Sequence, residues 1–142
     1  MPLNVLVVDD SVIMRRMIIK TLGLCGIPLG DVHQAGNGQE GLDVLDHCWV
    51  DLVLVDINMP VMNGEEMLTK LREKPELRDL AVIVVSTDGS ATRVDMMQKK
   101  GAGFVHKPFT PELLRDTIFR ITGASYEQLA GNSAVSGDSP DF

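Results

Sequence analysis

Five polar residues with charged or reactive side chains end or follow short apolar segments of the chain. Asp9 and Asp10 end the first segment, Asp56 ends the third, Ser86 ends the fourth and Lys107 follows the fifth. In an open parallel sheet the carboxyl ends of the strands meet at one edge, where binding sites gather. The spacing therefore predicts that three carboxylates, one hydroxyl and one ammonium group lie close together.

Three carboxylates in one place need compensating positive charge. Two unit charges about 4 Å apart repel by about 4 kcal/mol at an effective dielectric of about 20. Lys107 supplies one positive charge, and a set of carboxylate and carbonyl oxygens is the environment that Mg2+ favours. We therefore predict a divalent metal, Mg2+, at this edge. A metal, a carboxylate, a lysine and a hydroxyl together are suited to phosphoryl transfer, with Asp56 as the nucleophile.

Apolar segments rich in valine and isoleucine alternate with amphipathic ones along the chain. The apolar segments lack strict polar alternation, which indicates strands covered on both faces. Ser11 precedes the first helical pattern as an N-cap, and Pro111 follows Thr110 at the start of the last one. We expect strands over 4–8, 31–35, 51–55, 81–85 and 104–105, and helices over 12–24, after 36–38, from 64 to about 72, over 91–100 and from 111 to about 121.

These elements predict an α/β fold, a doubly wound five-stranded parallel sheet with helices on both faces. Helical spacing assigns inward-facing residues to the first and last helices. In the first helix they are Met14, Met17, Ile18, Leu22 and Cys25, and in the last they are Leu113, Leu114, Thr117, Ile118 and Ile121.

The overall composition excludes several classes of function. Twenty acidic and thirteen basic residues give a net charge of -7, which disfavours direct contact with nucleic acid or an anionic membrane. No apolar segment approaches the roughly 18 residues of a membrane span, and no signal sequence precedes the first strand. Cys25 and Cys48 are expected to be buried, reduced thiols. We therefore expect a cytoplasmic protein.

The last twenty residues differ in composition from the rest. Residues 123–142 are rich in Gly, Ser and Ala and contain three acidic and no basic side chains, which is typical of a mobile tail. We expect one domain over residues 1–122, followed by this acidic tail.

The order and spacing of four motifs resemble a known family. The motifs are Val-Val-Asp9-Asp10-Ser, Leu-Val-Asp56-Ile-Asn58-Met-Pro60 followed by Asn63-Gly64, Val-Val-Ser86-Thr87, and Phe104-Val-His-Lys107-Pro108-Phe109. From about residue 3 to 122 the chain is similar to the CheY-like receiver domains of bacterial response regulators, which have a flavodoxin-like fold.

The resemblance implies roles for the residues at the predicted sheet edge. Asp56 would accept a phosphoryl group from a histidine kinase. Asp10, Asp56 and the backbone carbonyl of Asn58 would ligate Mg2+, and Asp9 would help to hold the metal. Lys107 would pair with the phosphoryl group.

The resemblance also implies a conformational switch and partners. The Ser86 hydroxyl would move toward the phosphoryl group, and Phe104 would turn inward to fill the vacated space. Met14-Arg15-Arg16 after the acidic pair resembles chemotaxis regulators. The implied partners are a CheA-type histidine kinase and the flagellar motor switch protein, and the implied oligomeric state is a monomer or weak dimer. By this interpretation the domain is not an enzyme beyond its own phosphorylation and dephosphorylation.

Other interpretations stay open from the residues alone. A phosphorelay intermediate or phosphate sink would use the same site. A small aspartate-nucleophile phosphatase of the haloacid dehalogenase type would need an acid two residues after the nucleophile, where this chain has Asn58. Taken singly, Asp9 and Asp10 could belong to a helix cap, Lys107 could be solvated, Phe104 could be core alone, and Thr87 could replace Ser86.

Overall fold

Strands and helices alternate along the part of the chain that the structure describes. The structure is a computed structural model that describes residues 2–57, 59, 61–87 and 91–122, with the backbone alone at 91–93. The strands are β1 (Leu3–Val8), β2 (Leu29–Ala35), β3 (Leu52–Val55), β4 (Ala81–Ser86) and β5 (Gly103–His106). The helices are α1 (Val12–Gly23), α2 (Gly38–His47), α3 (Gly64–Glu73), α4 (Ala91–Lys99) and α5 (Pro111–Thr122), with a short 3-10 helix at Pro75–Leu77.

The five strands form one parallel sheet in the order β2-β1-β3-β4-β5. The chain first moves outward from β1 to β2 and then crosses back to place β3 on the other side of β1. This reversal creates a switch point between the ends of β1 and β3, where a crevice opens in folds of this kind. Asp9, Asp10 and Asp56 directly follow these two strands.

The central strands are apolar along their whole length because both faces of the sheet are covered. Leu6 and Val8 face one core cluster, which the apolar residues of α2, α3 and α4 complete. Val5 and Val7 face the opposite cluster, which contains residues of α1 and α5. The predicted α/β fold, doubly wound with helices on both faces, is confirmed.

Side-chain caps fix the starts of the helices that follow the strand ends. The Ser11 hydroxyl accepts a hydrogen bond from the backbone N–H of Met14 at the start of α1. Asn63 and Glu66 form a reciprocal capping box at the start of α3. Such caps satisfy backbone N–H groups that have no partner within the helix. They therefore fix where each loop ends and each helix begins.

Three residues are less buried than their spacing predicts. Met17 is 57% exposed because it lies with Ile13 and Leu24 on the outer face of α1 rather than with Ile18 and Leu22. Leu113 in α5 is also exposed, since the sheet takes up only the arc around Leu114 and Ile118. Cys25 is buried, but Cys48 is only half-buried at the end of α2.

Two expectations fall on parts of the chain that are not described. The backbone carbonyl of Asn58 and the tail over residues 123–142 both lie outside the described residues. None of the helices in the described ranges combines the length and apolar character that a membrane crossing requires.

Candidate functional site

The end of β1 carries the acidic pair. Asp9 is buried, and its backbone N–H donates to the carbonyl of Ala35 at the end of β2, 3.1 Å away. Its Oδ1 accepts a hydrogen bond from the backbone N–H of Ser11 at 2.9 Å. Because Ser11 is the N-cap of α1, the acidic pair precedes the cap. Asp10 is exposed, so its carboxylate is open to solvent at the crevice.

Asp56 follows β3 and lies beside the β1 end. Its backbone N–H donates to the carbonyl of Val8 at 3.0 Å, which extends the pairing of the two strands by one residue. Gly64 packs against the Asp56 carbonyl so closely that a Cβ at this position would collide with it. The Gly64 N–H also donates to the carbonyl of Ile57. The start of α3 therefore holds the Asp56 backbone in place.

Lys107 brings the positive charge to these carboxylates. Its backbone N–H donates to the carbonyl of Ser86 at 2.9 Å, so the ends of β4 and β5 are joined at the site. Its Nζ lies 3.4 Å from Asp9 Oδ2 and 3.7 Å from Asp56 Oδ1. With its side chain only 12% exposed, Lys107 is an internal counter-ion rather than a solvated lysine.

The three carboxylates form a group that fits a divalent metal. One oxygen from each of Asp9, Asp10 and Asp56 lies within 4.8 Å of the others. The group is oxygen-only, is accessible to water through Asp10, and contains more negative charge than Lys107 neutralises. A small hard cation that keeps part of its water shell matches these conditions, and Mg2+ is such a cation.

The pKa of the Asp56 carboxyl is raised above its ordinary value. Desolvation by burial is the largest cause, and the negative charges of Asp9 and Asp10 act in the same direction. The ammonium group of Lys107 opposes the shift. A raised carboxyl pKa means that the folded domain disfavours the ionised form that a nucleophile needs. A cation bound here would restore that form.

The remaining predicted residues occupy distinct positions. Ser86 is fully buried at the end of β4, whereas Thr87 is exposed, so Ser86 is the hydroxyl on the strand itself. Phe104 lies on β5 opposite Val84 and is only partly buried against the cluster that contains Met97 and Ala102. The structure therefore brings Asp9, Asp10, Asp56 and Lys107 together, with Ser86 on the neighbouring strand end.

One contributor is not predicted individually by the sequence reasoning. The Arg15 guanidinium in the first turn of α1 donates to the backbone carbonyl of Asp9 at 2.5 Å and to Gln34 Oε1 at 3.0 Å. It thereby connects the β1–α1 loop to the end of β2. Its position four residues after the Ser11 cap is the available signal, because that spacing returns a side chain to the face of the cap.

Comparisons with known proteins agree with this geometry. A family model described as the response regulator receiver domain matches residues 5–119. The chain is 37% identical over 123 residues to a chemotaxis protein CheY homolog of Campylobacter jejuni, covering 85% of this chain and 93% of that protein. It is 34% identical over 125 residues to chemotaxis protein CheY1 of Helicobacter pylori, covering 87% and 99%.

A solved structure shows the same arrangement of elements. The chemotaxis response regulator CheY4 of Vibrio cholerae aligns with a TM-score of 0.74 at 32% identity, covering 85% of this chain and 99% of that one. Phosphorylation on an aspartate is general for receiver domains. The chain thus belongs to the response regulator receiver domain family and is homologous to the CheY chemotaxis regulators.

Proposed function

We propose that Asp56 is the phosphoacceptor of this domain and that its phosphorylation is the signal. The observation that carries the proposal is the position of the Lys107 ammonium group between the Asp9 and Asp56 carboxylates. Asp56 is close enough to Lys107 for a phosphoryl group on its carboxylate to take over that ion pair. The ammonium group would then offset part of the charge that the phosphoryl group adds.

In the proposed transfer, an Asp56 carboxylate oxygen attacks the phosphorus of a phosphohistidine. The phosphorus–nitrogen bond breaks, and its electron pair stays on the imidazole nitrogen, which takes up a proton. The product is an aspartyl phosphate and a free histidine. Lys107 stabilises the phosphoryl oxygens, and Arg15 holds the loop that carries Asp9 and Asp10 through its bond to the Asp9 carbonyl.

We assign the metal ligands to Asp10, Asp56 and the backbone carbonyl of Asn58, with Asp9 helping to hold the ion. The oxygen-only donor set and the excess negative charge support this assignment. When bound, Mg2+ supplies the positive charge that phosphoryl transfer to a carboxylate needs.

We further propose that Ser86 and Phe104 convert phosphorylation into a change of shape. Ser86 lies at the end of β4, next in the sheet to the strand that Asp56 follows, and its carbonyl is bonded to Lys107. A phosphoryl group offers acceptor oxygens to its hydroxyl. Phe104 is only partly buried on β5, so space vacated by Ser86 gives its ring a second position.

A histidine kinase partner follows from the family, and we propose a CheA-type kinase, with the flagellar motor switch protein as an output partner in the cytoplasm. The kinase must bring its histidine to Asp56, so its docking surface must adjoin the same sheet edge. The outer face of α1, formed by Ile13, Met17 and Leu24, is apolar and begins next to the acidic pair. Exposed apolar faces of this kind are typical of protein contacts.

The phosphoacceptor assignment is tested by mass. Incubation with a small phosphodonor and Mg2+ is expected to add one phosphoryl group to the native chain and none to Asp56→Asn. Asp46→Asn is the matched control, because Asp46 is an exposed aspartate paired with Lys74 away from the site. Omission of Mg2+ or Lys107→Met is expected to slow labelling strongly. Equal labelling of the native chain and Asp56→Asn would refute the assignment.

Kinase docking on α1 is tested separately. Ile13→Asp is expected to slow transfer from a phosphorylated kinase while leaving labelling by the small phosphodonor unchanged. Leu24→Asp, at the far end of the same face, is the control and should retain transfer. The domain is also expected to release no phosphate from free phosphomonoesters, and steady turnover of such a substrate would favour the phosphatase interpretation instead.

A further inference from the structure

A groove of about 950 Å3 crosses the edge of the sheet opposite Asp56. We call it the basal groove; it runs between the end of α5, the start of β4 and the loop between α2 and β3. Its lining is mostly apolar and includes Leu45, Trp49, Leu77, Leu80, Ile121 and Thr122. An apolar groove of this size on a small domain usually has an occupant.

Trp49 gives the basal groove an ordered aromatic wall. The side chain is 78% exposed, yet its indole N–H donates to Asp51 Oδ1 at 3.0 Å. Asp51 is itself held, because its Oδ2 accepts from the backbone N–H of Asn4 at 2.9 Å. An indole fixed at its polar end with its ring open to solvent provides apolar contact area at low entropic cost.

The position of the chain end indicates the occupant. Thr122 lines the basal groove and residues 123–142 continue directly from it. The first large apolar side chains beyond Thr122 are Tyr126 and Leu129. At about 3.3 Å per residue, an extended chain carries these side chains roughly 13 and 23 Å from Thr122, which is enough to enter the groove.

Charge complementarity favours the same occupant. A second groove shares Leu80, Ala81 and Ile121 with the basal groove and is lined by four basic side chains. These are Arg72, Arg78, Lys99 and Lys100, with Asp79 as the acidic member. Residues 123–142 contain three acidic and no basic side chains. The positive potential beside the chain exit therefore attracts this segment.

We propose that residues 123–142 return from Thr122 and bind in the basal groove of the same chain, with Tyr126 and Leu129 on its apolar lining. The groove lies at the sheet edge opposite Asp56, so occupation leaves the proposed phosphoacceptor accessible. The inference stands independently of the phosphorylation proposal.

The chain contains one Trp and one Tyr, which makes docking measurable without labels. Trp49 lines the groove and Tyr126 lies in the segment, so energy transfer from tyrosine to tryptophan reports their proximity. We expect strong transfer in the full chain and a marked loss in Leu129→Asp, together with a shift of Trp49 emission to longer wavelength. Gln128→Asp is the matched control, because it adds the same charge beside Leu129 and should retain transfer.

Two outcomes would overturn the proposal. Equal transfer and emission in the full chain, Leu129→Asp and Gln128→Asp would mean that the segment does not occupy the groove. Transfer in a mixture of Trp49→Phe and Tyr126→Phe chains would mean that the segment of a second copy is the occupant. Transfer confined to the intact chain and independent of protein concentration supports binding within one chain.

Discussion

Removal of the Asp56 charge is expected to stabilise the domain. The Asp9 and Asp10 carboxylates each repel an ionised Asp56 by about 3.5 kcal/mol at 4.8 Å and an effective dielectric of about 20, the distance that bounds the group. The attraction of Lys107 at 3.7 Å returns about 4.5 kcal/mol on the same scale. Since Asp10 is exposed and screened, we expect Asp56→Asn to raise the free energy of unfolding by about 1–2 kcal/mol.

The pH dependence has a defined sign. Because the pKa of Asp56 is raised in the folded state, the native chain keeps its full stability below the ordinary carboxyl pKa. It then loses stability as pH rises through the folded pKa. The gap between Asp56→Asn and the native chain should therefore be absent in strong acid and open toward neutral pH. In thermal unfolding it should reach about 4–8 °C, and Mg2+ should narrow it by binding the native chain preferentially.

Asp46→Asn provides the opposite control. The pKa of Asp46 is lowered by its hydrogen bond from Lys74 at 2.8 Å, so this carboxylate stabilises the fold above its ordinary pKa and ceases to do so in acid. Its removal should produce a small loss at neutral pH rather than a gain. If Asp56→Asn is less stable than the native chain at neutral pH, or if its advantage does not vary with pH, the electrostatic reasoning is wrong.

Three further substitutions test the loop and helix that hold Asp56. Val61→Asn should raise the free energy of unfolding by about 1 kcal/mol, because exposed Val61 has a φ of 67° that asparagine adopts more easily; a lower denaturation midpoint would contradict this. Asn63→Ala should lower stability by about 1 kcal/mol through loss of the capping box, measured by urea unfolding. Gly64→Ala should cost about 2 kcal/mol, since its Cβ meets the Asp56 carbonyl, and an unchanged midpoint would show that the loop relaxes freely.

The alternation of apolar strands and amphipathic helices was sufficient to predict the fold. Periodicity distinguishes a strand covered on both faces from a helix covered on one, and the strands of this protein are apolar throughout. Element ends were predicted within a few residues where a cap marked them, as Ser11 does for α1. Burial was predicted less well, because Met17 and Leu113 show that helical spacing defines an apolar arc wider than the contact surface.

What the sequence by itself determined is which chemical groups follow which strands, since motif order and strand polarity are local properties of the chain. The tertiary structure alone decided the distances: Lys107 lies 98 positions from Asp9 along the chain, yet its Nζ is 3.4 Å from that carboxylate. It also decided that Arg15 holds the Asp9 carbonyl, that Val61 has a positive φ and that the basal groove begins where α5 ends. These features depend on how separate elements pack together, which no local pattern encodes.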